Sequence, residues 1–477
     1  MALRGRFPVA LIPQRLMGVF AWEFAKTEAI AASGNKRLQR LVTALPDRDD
    51  ADSANDIYAG SFEFAGIRMD GSPDSIFERA KSAPAFLKIL REFGWLKRFS
   101  RNPKHLHACF VARMLTAWRG VSPNCGSFKD ELARLELFTH HLPHIANPLD
   151  TAGQLPFVLA ILLQVKNLKQ ARTPGADETI IKALAMAHAA LVLDDMEGLG
   201  AEASLLLETH LPSRILADGG HVTGDQSKLL EIARAIASLE QAQRFRFGPQ
   251  TRTSIDRLMQ FLKMLQSGDG KFAFIADSAE NKHAALCFSG EQHLSFAPQS
   301  GFARLTQGKS FLIIDRKLSA DFSIHGRHLM LFSGFQTGAD EVTQHQFRLQ
   351  VADTGSFFDA PGSPNSRRIF MAASGHDIRI EDQLSESTSA QWLKISLSEV
   401  IKATVTRGAA TAMLLMPDRT VWQITVRGAK FVVEPEGHDL FLKVGAGPPT
   451  TVNWSIKKLA KPATTGKTRD NMPDLPF

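Results

Sequence analysis

The sequence predicts a two-domain chain, helices first and antiparallel β-structure second, and three observations predict it. Residues 1–285 carry apolar side chains at three-to-four spacing, the period of helices with one buried face. Residues 286–459 change to short apolar runs at roughly 8–12-residue intervals, the pattern of a sandwich or barrel. The chain has 477 residues, and at roughly 100–200 residues per domain one domain is too few. Helices and sheets each bury a face against their own kind, so the two halves need separate cores.

Ala83 to Arg98 places Phe86, Leu90, Phe93 and Leu96 on one stripe, and this spacing predicts one helix. Pro103 opens a second, and further helices are expected around 130–145, 155–171, 178–196 and 200–216, then Gln226 to Phe247 and Thr251 to Gln266. Asp218-Gly219-Gly220 and Ser267-Gly268-Asp269-Gly270 separate them as stop signals. Helices of this length with short breaks predict stacked antiparallel helical hairpins. Phe302 to Asp315 reads as two strands around Gln307-Gly308-Lys309. Gln344–Ala352, Arg367–Met371, His376–Leu384 and Gln391–Leu397 follow. Thr411–Met416, Thr420–Val426, Lys430–Val433, Asp439–Val444 and Thr451–Ile456 complete the series. The domain break falls near Ser278–Gln299. Residues 460–477, with Lys461, Lys467 and Arg469 among Pro, Thr and Gly, read as a disordered basic tail.

Composition excludes several classes. Hydrophobic residues are 44% and charged residues 22%, which is incompatible with wholesale disorder or a polytopic membrane protein. The longest apolar run, Pro156 to Val165, is far short of the ~20 residues that a spanning helix needs. Cys109, Cys125 and Cys287 are too few for a disulfide framework or a zinc cage. Met1 to Trp22 is interrupted by Pro8, Pro13, Gln14 and Arg15, so no cleavable signal is expected. The formal charge of +7 favours a polyanionic partner without choosing one. With a single tyrosine, Tyr58, any mechanism that needs a tyrosine must use that residue.

The domain order and several strings resemble the heparinase II/III-like family. The strings are DIYAGSFEFAG (Asp56–Gly66), FGWLK (Phe93–Lys97), LPSRILADGGHVTGDQSKLL (Leu211–Leu230), SGDGKF (Ser267–Phe272) and RRIFMAASGHDIRIEDQL (Arg367–Leu384). The resemblance implies an N-terminal α/α-toroid, incomplete here, followed by an antiparallel β-sandwich. It implies a polysaccharide lyase that cleaves uronic-acid polymers by β-elimination. The partner is then an acidic polysaccharide rather than nucleic acid, with no cofactor and no metal. The place is a bacterial cell envelope or periplasm, with the cytoplasm as the alternative. Such chemistry needs a base beside the uronate carboxylate, a donor to that carboxylate and an acid for the leaving oxygen. The sequence departs from the family pattern at several places. Lys228 and Leu229 stand where a Tyr-His pair is common, and Ser396 and Ser398 where a sandwich strand often reads His-Leu-His. These departures leave a second function open, a glycan-binding or scaffolding protein without turnover.

Two histidines are the candidate catalytic residues. His221 follows two glycines that let the chain turn tightly, and is read either as a cleft histidine or as a helix-connection residue. His325 (SIHGRH) starts a strand-like segment with His328. Arg244 and Arg246 alternate with Phe245 and Phe247, and are the candidate substrate-binding pair or else a helix terminus. His140, His141 and His144 form the densest histidine cluster, but Pro143 and the lack of a flanking carboxylate argue against a metal. Glu197, Glu202 and Glu208 are helix acids without visible pairing, which gives a hydrolase little support.

Overall fold

Helix boundaries in the first part of the chain follow their caps. The structure is a computed structural model that describes residues 52–100, 103–121, 126–267, 269–274, 294–335, 347–361, 365–406, 408–433 and 439–459. The N-terminal stretch, most of the expected domain break and the basic tail lie outside these residues. Helices α1 (Asp52–Tyr58), α2 (Ile76–Arg79), α3 (Pro84–Glu92), α4 (Lys97–Ser100) and α5 (His105–Val121) come first. The long helices α6 (Phe128–Ala146), α7 (Thr151–Gln170), α8 (Ala176–Val192) and α9 (Glu197–His210) follow, then α10 (Gln226–Gln241) and α11 (Pro249–Leu265). Ser127 caps α6 by accepting from the Asp130 amide, and Asp150 caps α7 by accepting from Gly153 at 2.8 Å. The α11 start is capped from outside. The Glu208 carboxylate accepts the Gln250 and Thr251 amides at 2.9 Å each, and these bonds hold its pKa below the usual carboxylate range.

Three local expectations give way. A hairpin, β1 (Ser61–Phe64) and β2 (Ile67–Asp70), interrupts the helices. Ala65 and Gly66 both take positive φ between the strands, the geometry of a two-residue hairpin turn. The Ala83–Arg98 helix breaks at Phe93, which is fully buried and left-handed at φ 61°. Its ring lies edge-on to Trp118 and Phe138 at 5.2 and 5.0 Å, so packing overrides helix continuation there. The Gln226–Phe247 helix stops at Gln241, and Arg244 to Gly248 are irregular.

Buried polar groups tie the long helices. Glu131 of α6 is 1% exposed, accepts from Gly126 N–H and Gln164 Nε2 of α7 at 2.6 and 2.5 Å, and pairs with Arg134 at 3.1 Å. A buried carboxylate persists only with such partners. The expected histidine cluster is dispersed: His141 Nδ1 meets Ser100 Oγ at 2.9 Å, and His140 Nδ1 meets the Glu136 carbonyl at 2.7 Å. No group of three or more metal-ligating side chains occurs among the described residues.

The C-terminal strands form two antiparallel eight-stranded sheets. One has the order β13-β14-β15-β18-β11-β10-β9-β8 and the other β16-β17-β12-β7-β6-β5-β4-β3. The first comprises β8 (Arg348–Ala352), β9 (Gly355–Ala360), β10 (Ser366–Ala372), β11 (Asp377–Leu384), β13 (Lys402–Val405), β14 (Thr411–Leu415), β15 (Val421–Arg427) and β18 (Thr450–Lys458). The second comprises β3 (Phe296–Ala297), β4 (Phe302–Gln307), β5 (Ser310–Asp315), β6 (Ala320–Ile324), β7 (Arg327–Phe332), β12 (Gln391–Leu397), β16 (Lys430–Val433) and β17 (Leu440–Val444). Alternate residues of both sheets build one apolar core, where Phe322 meets Trp422 at 5.6 Å and Phe332 meets Trp454 at 4.9 Å.

Arg367 crosses that core at 0% exposure. Its guanidinium pairs two-pronged with Asp382 at 2.5 and 3.1 Å and donates to the Leu318 and Ser333 carbonyls. Trp454 Nε1 completes the cage on Asp382 at 2.8 Å. Every charge is matched, so one side chain stitches the two sheets.

By Cα proximity the described residues group as two units. Residues up to 213 go with 234–252, and residues 214–233 go with 253 onward. The Leu211–Leu230 segment therefore keeps most of its length with the sheets.

Burial of the helical histidines sets an acid limit. The pKa values of His141 and His188 are pushed down to about 4, first by burial and then by neighbouring positive charge. As pH falls below the ordinary 6.5 the unfolded chain takes up protons before the folded one, so stability declines from there to about 4. At ~1.4 kcal/mol per pH unit the loss is roughly 3 kcal/mol for each histidine. Thermal unfolding across this window should show the decline, and His188→Leu should flatten it. An unchanged slope refutes the assignment.

Candidate functional site

The segment after α9 folds into a tight loop fastened to the β-sheets. Ile215 and His221 form an isolated antiparallel bridge, with Leu216 N–H donating to Gly220 O at 2.8 Å and Val222 N–H to Arg214 O at 3.1 Å. Asp218 sits at the loop tip. Its Oδ2 accepts the Ser300 amide at 2.8 Å and its Oδ1 accepts Ser300 Oγ at 2.6 Å. Ala217 N–H adds a bond to Gln299 Oε1 at 3.2 Å.

Both glycines are demanded by this seat. Gly219 has φ +90°, and a Cβ there would strike the Arg257 carbonyl. A Cβ on Gly220 would overlap Ser300 Oγ. Asp-Gly-Gly is thus a latch between the loop, α11 and the strand that starts at Phe302. Asp218, which opens the stop signal between helices in the sequence, is the latch's anion.

His221 is 1% exposed. Its Nδ1 lies 2.7 Å from Thr223 Oγ1 and receives the Thr223 amide at 3.3 Å, while Asp225 N–H donates to the same Oγ1 at 3.4 Å. A backbone amide can only donate, so Nδ1 is the acceptor and the proton of the neutral ring sits on Nε2. His221 is therefore built as an Nε2–H donor.

His325 lies elsewhere on the second sheet. It is exposed, has φ +50° and forms with Gly326 (φ +75°) the two-residue turn joining β6 to β7. Its amide donates to Lys309 O at 2.9 Å, at the β4–β5 turn. The His221 loop meets Ser300 and Arg316, which flank the opposite ends of β4 and β5. Five steps along β5 at about 3.3 Å put roughly 17 Å between those ends. The structure does not bring His221 and His325 together. The dipeptide His-Gly between Ile324 and Arg327 carried the signal: it is a hairpin turn before it is a strand start.

His328 is the histidine that the sheet puts to use. A register shift at Phe322/Ser323 pairs Ser323 with His328 and Phe322 with Met330, so Leu329 is the extra residue. Without this bulge His328, two before the core residue Met330, would face the core; the bulge turns it to the outer face. There His328 Nε2 lies 3.3 Å from Asp321 Oδ2, and Ser323 Oγ donates to Asp321 Oδ1 at 3.3 Å. Arg304 belongs to the same layer. It stacks over Phe311 at 3.8 Å and donates to the Met264 and Gln266 carbonyls at 2.8 and 2.9 Å, neutralising the C-terminus of α11. Burial lowers the Arg304 pKa to about 10, against the pull of Asp321. For His328, burial works downward but the bond to and charge of Asp321, helped by Asp269 and opposed by Lys271, raise the net pKa.

Arg244 and Arg246 are exposed, two apart in the irregular segment after α10, while Phe245 and Phe247 are half-buried and meet edge-on at 5.0 Å. Ser204 Oγ donates to the Arg246 carbonyl at 3.2 Å and holds the segment to α9. Of the acids considered for hydrolysis, Glu202 pairs with Lys169 at 2.7 Å and Glu208 caps α11, so both have structural partners.

No family profile and no curated protein matches the sequence. Solved structures do. A heparinase III is similar over 96% of this chain and 93% of its own, at TM-score 0.68 and 11% identity. The heparan sulfate lyase HepC from Pedobacter heparinus is similar over 92% and 87%, at TM-score 0.60 and 11% identity. A Paenibacillus xanthan lyase is similar over 92% and 60%, at TM-score 0.52 and 9% identity. The chain therefore has a divergent heparinase-like fold, an N-terminal helical region followed by two antiparallel sheets, as in the α/α-toroid plus β-sandwich architecture.

Two measurements probe this geometry. Asp218→Ala removes two charge-assisted bonds and should lower unfolding stability by about 3 kcal/mol in denaturant titration, with Gly219→Ala at least as damaging. A loss near zero would show that the latch is ornamental. Because its folded pKa is raised, His328 contributes stability that is full below the ordinary 6.5 and disappears as pH rises through the folded value. His328→Gln should therefore lower the melting temperature at pH 6 more than at pH 9, and an equal drop at both contradicts the ion pair.

Proposed function

We propose that this protein is a polysaccharide lyase of the heparinase-like fold that takes an acidic, uronic-acid-containing polysaccharide and cleaves it by β-elimination. The carrying observation is the near end-to-end likeness to a heparinase III structure, at TM-score 0.68 over 96% of the chain. In this reading the loop shifts to uncover His221, whose Nε2–H then bonds to the uronate carboxylate and makes the neighbouring C–H acidic. In the helical unit, exposed Arg244 and Arg246 are the residues we assign to polymer carboxylates, through screened, exchangeable contacts that stand apart from the His221 step. His325 belongs to the turn at the far end of β5 from the loop, and in this reading it contacts the polymer rather than sharing that step. We place the activity at the cell envelope, where such polymers lie.

A second reading is favoured by one observation: His221 is 1% exposed with its Nδ1 committed to Thr223. Binding without turnover needs no movement of that loop. Ultraviolet absorbance of unsaturated uronate products, across acidic and neutral polymers, decides. Turnover on acidic polymers alone, reduced about 100-fold or more by His221→Ala, supports the lyase. Folded protein that binds the polymer without releasing product establishes the second reading instead.

A further inference from the structure

Two histidines of the helical unit hold their rings in a way that protein contacts leave unfinished. His188 of α8 is 4% exposed, and its Nδ1 lies 2.9 Å from the Leu184 carbonyl, one turn back on the same helix. A carbonyl only accepts, so Nδ1 carries the proton and Nε2 the lone pair. That Nε2 is buried and has no hydrogen-bond partner. His140 of α6 repeats the pattern. Its Nδ1 donates to the Glu136 carbonyl at 2.7 Å, again one turn back, so its lone pair is also on Nε2. An imidazole's two nitrogens lie on opposite sides of its ring, so each Nε2 points away from its own helix. The helices α6 and α8 are packed neighbours, and the two rings meet at 5.8 Å between centroids, with 35° between their planes.

Neither ring satisfies the other, because both present acceptors. Leaving a buried acceptor without a donor costs about 1–3 kcal/mol. A bridging water would donate to both nitrogens but leave its own lone pairs without donors, since Leu184, Ala185 and Val192, one turn to either side of His188, are buried and apolar. A cation takes both lone pairs and asks for nothing in return.

The kind of cation follows from what surrounds the pair. No carboxylate is among the groups that act on either ring, and the described residues supply no third ligand. A divalent ion would keep two uncompensated charges and lack most of its ligands. A monovalent d10 ion such as Cu(I) brings one charge, and two imidazole nitrogens complete its coordination. Metal–nitrogen bonds of about 2.0 Å, with each nitrogen about 1.2 Å from its ring centre, allow centroids up to roughly 6.4 Å apart. The observed 5.8 Å lies inside that limit. His140 is only half-buried, which gives the ion a way in.

We propose that His140 and His188 bind one Cu(I) ion between their Nε2 atoms. This pair is distinct from the histidine run read in the sequence, since His188 comes from another helix, and it does not depend on lyase turnover.

The experiment uses the full chain with Cys109, Cys125 and Cys287 changed to serine, so that no thiol competes. Cu(I) is presented without oxygen as its bathocuproine disulfonate complex, whose colour falls as the protein takes the metal. One Cu(I) per chain should transfer, and copper-edge X-ray absorption should show two nitrogen neighbours and no sulfur. His188→Leu and His140→Phe, shown folded by circular dichroism, should each weaken binding by at least ~100-fold. His105→Ala, which removes an exposed histidine of α5, should leave it unchanged. No transfer, sulfur ligation, or affinity that survives either His188→Leu or His140→Phe would overturn the proposal. Uronate product is scored separately, so failure of the lyase reading leaves this result intact.

Discussion

The seat of Asp218 on Ser300 is the constraint from which the candidate site follows. Both carboxylate oxygens are used, one on a backbone amide and one on a hydroxyl. A loop held that closely cannot carry side chains at its contact points, which is why two glycines precede His221. The loop's backbone polarity is satisfied internally by the Ile215–His221 bridge. His221 therefore inherits its position from the latch, and its tautomer from Thr223 two residues on. Sequence, turn geometry and protonation form one causal chain, each step leaving the next little freedom.

The outer face of the second sheet shows the same economy. Arg304, Asp321, Ser323 and His328 form a polar layer on strands whose other face is mostly apolar. The α11 C-terminus would otherwise present unpaired carbonyls to that layer, and Arg304 answers them. Its charge is in turn countered by Asp321, which also draws in His328. Removing any member leaves a desolvated partner, so the layer holds together as a set.

Much of this was legible in the sequence. The long helices and most strands announced themselves through period, caps and turn residues, and Gln391–Leu397 was read to the residue. Phe93 was not legible, because helical spacing continues through it while the rings that force it left-handed come from Trp118 and Phe138, far along the chain. The QRFRF segment misled for the opposite reason. Its composition suits a helix end, but its carbonyl is taken by Ser204 and its phenylalanines pack as in an extended chain. The turn before His221 was legible because glycine pairs mark tight turns. His328 was missed because a one-residue bulge reverses facing, and nothing in local composition signals it.

The consequence for chemistry is a matter of which groups are available where. Tyr58, the only tyrosine, belongs to the helical unit and is packed on His107 and Phe110. The Asp-Gly-Gly-His loop belongs to the unit that contains the sheets. Within that unit Asp218 is committed to Ser300 as an acceptor through both carboxylate oxygens, and the Thr223 amide makes His221 Nδ1 an acceptor as well. Both side chains therefore serve first to hold the loop's own shape, and any chemistry at the loop requires uncovering His221 from a position where it is 1% exposed.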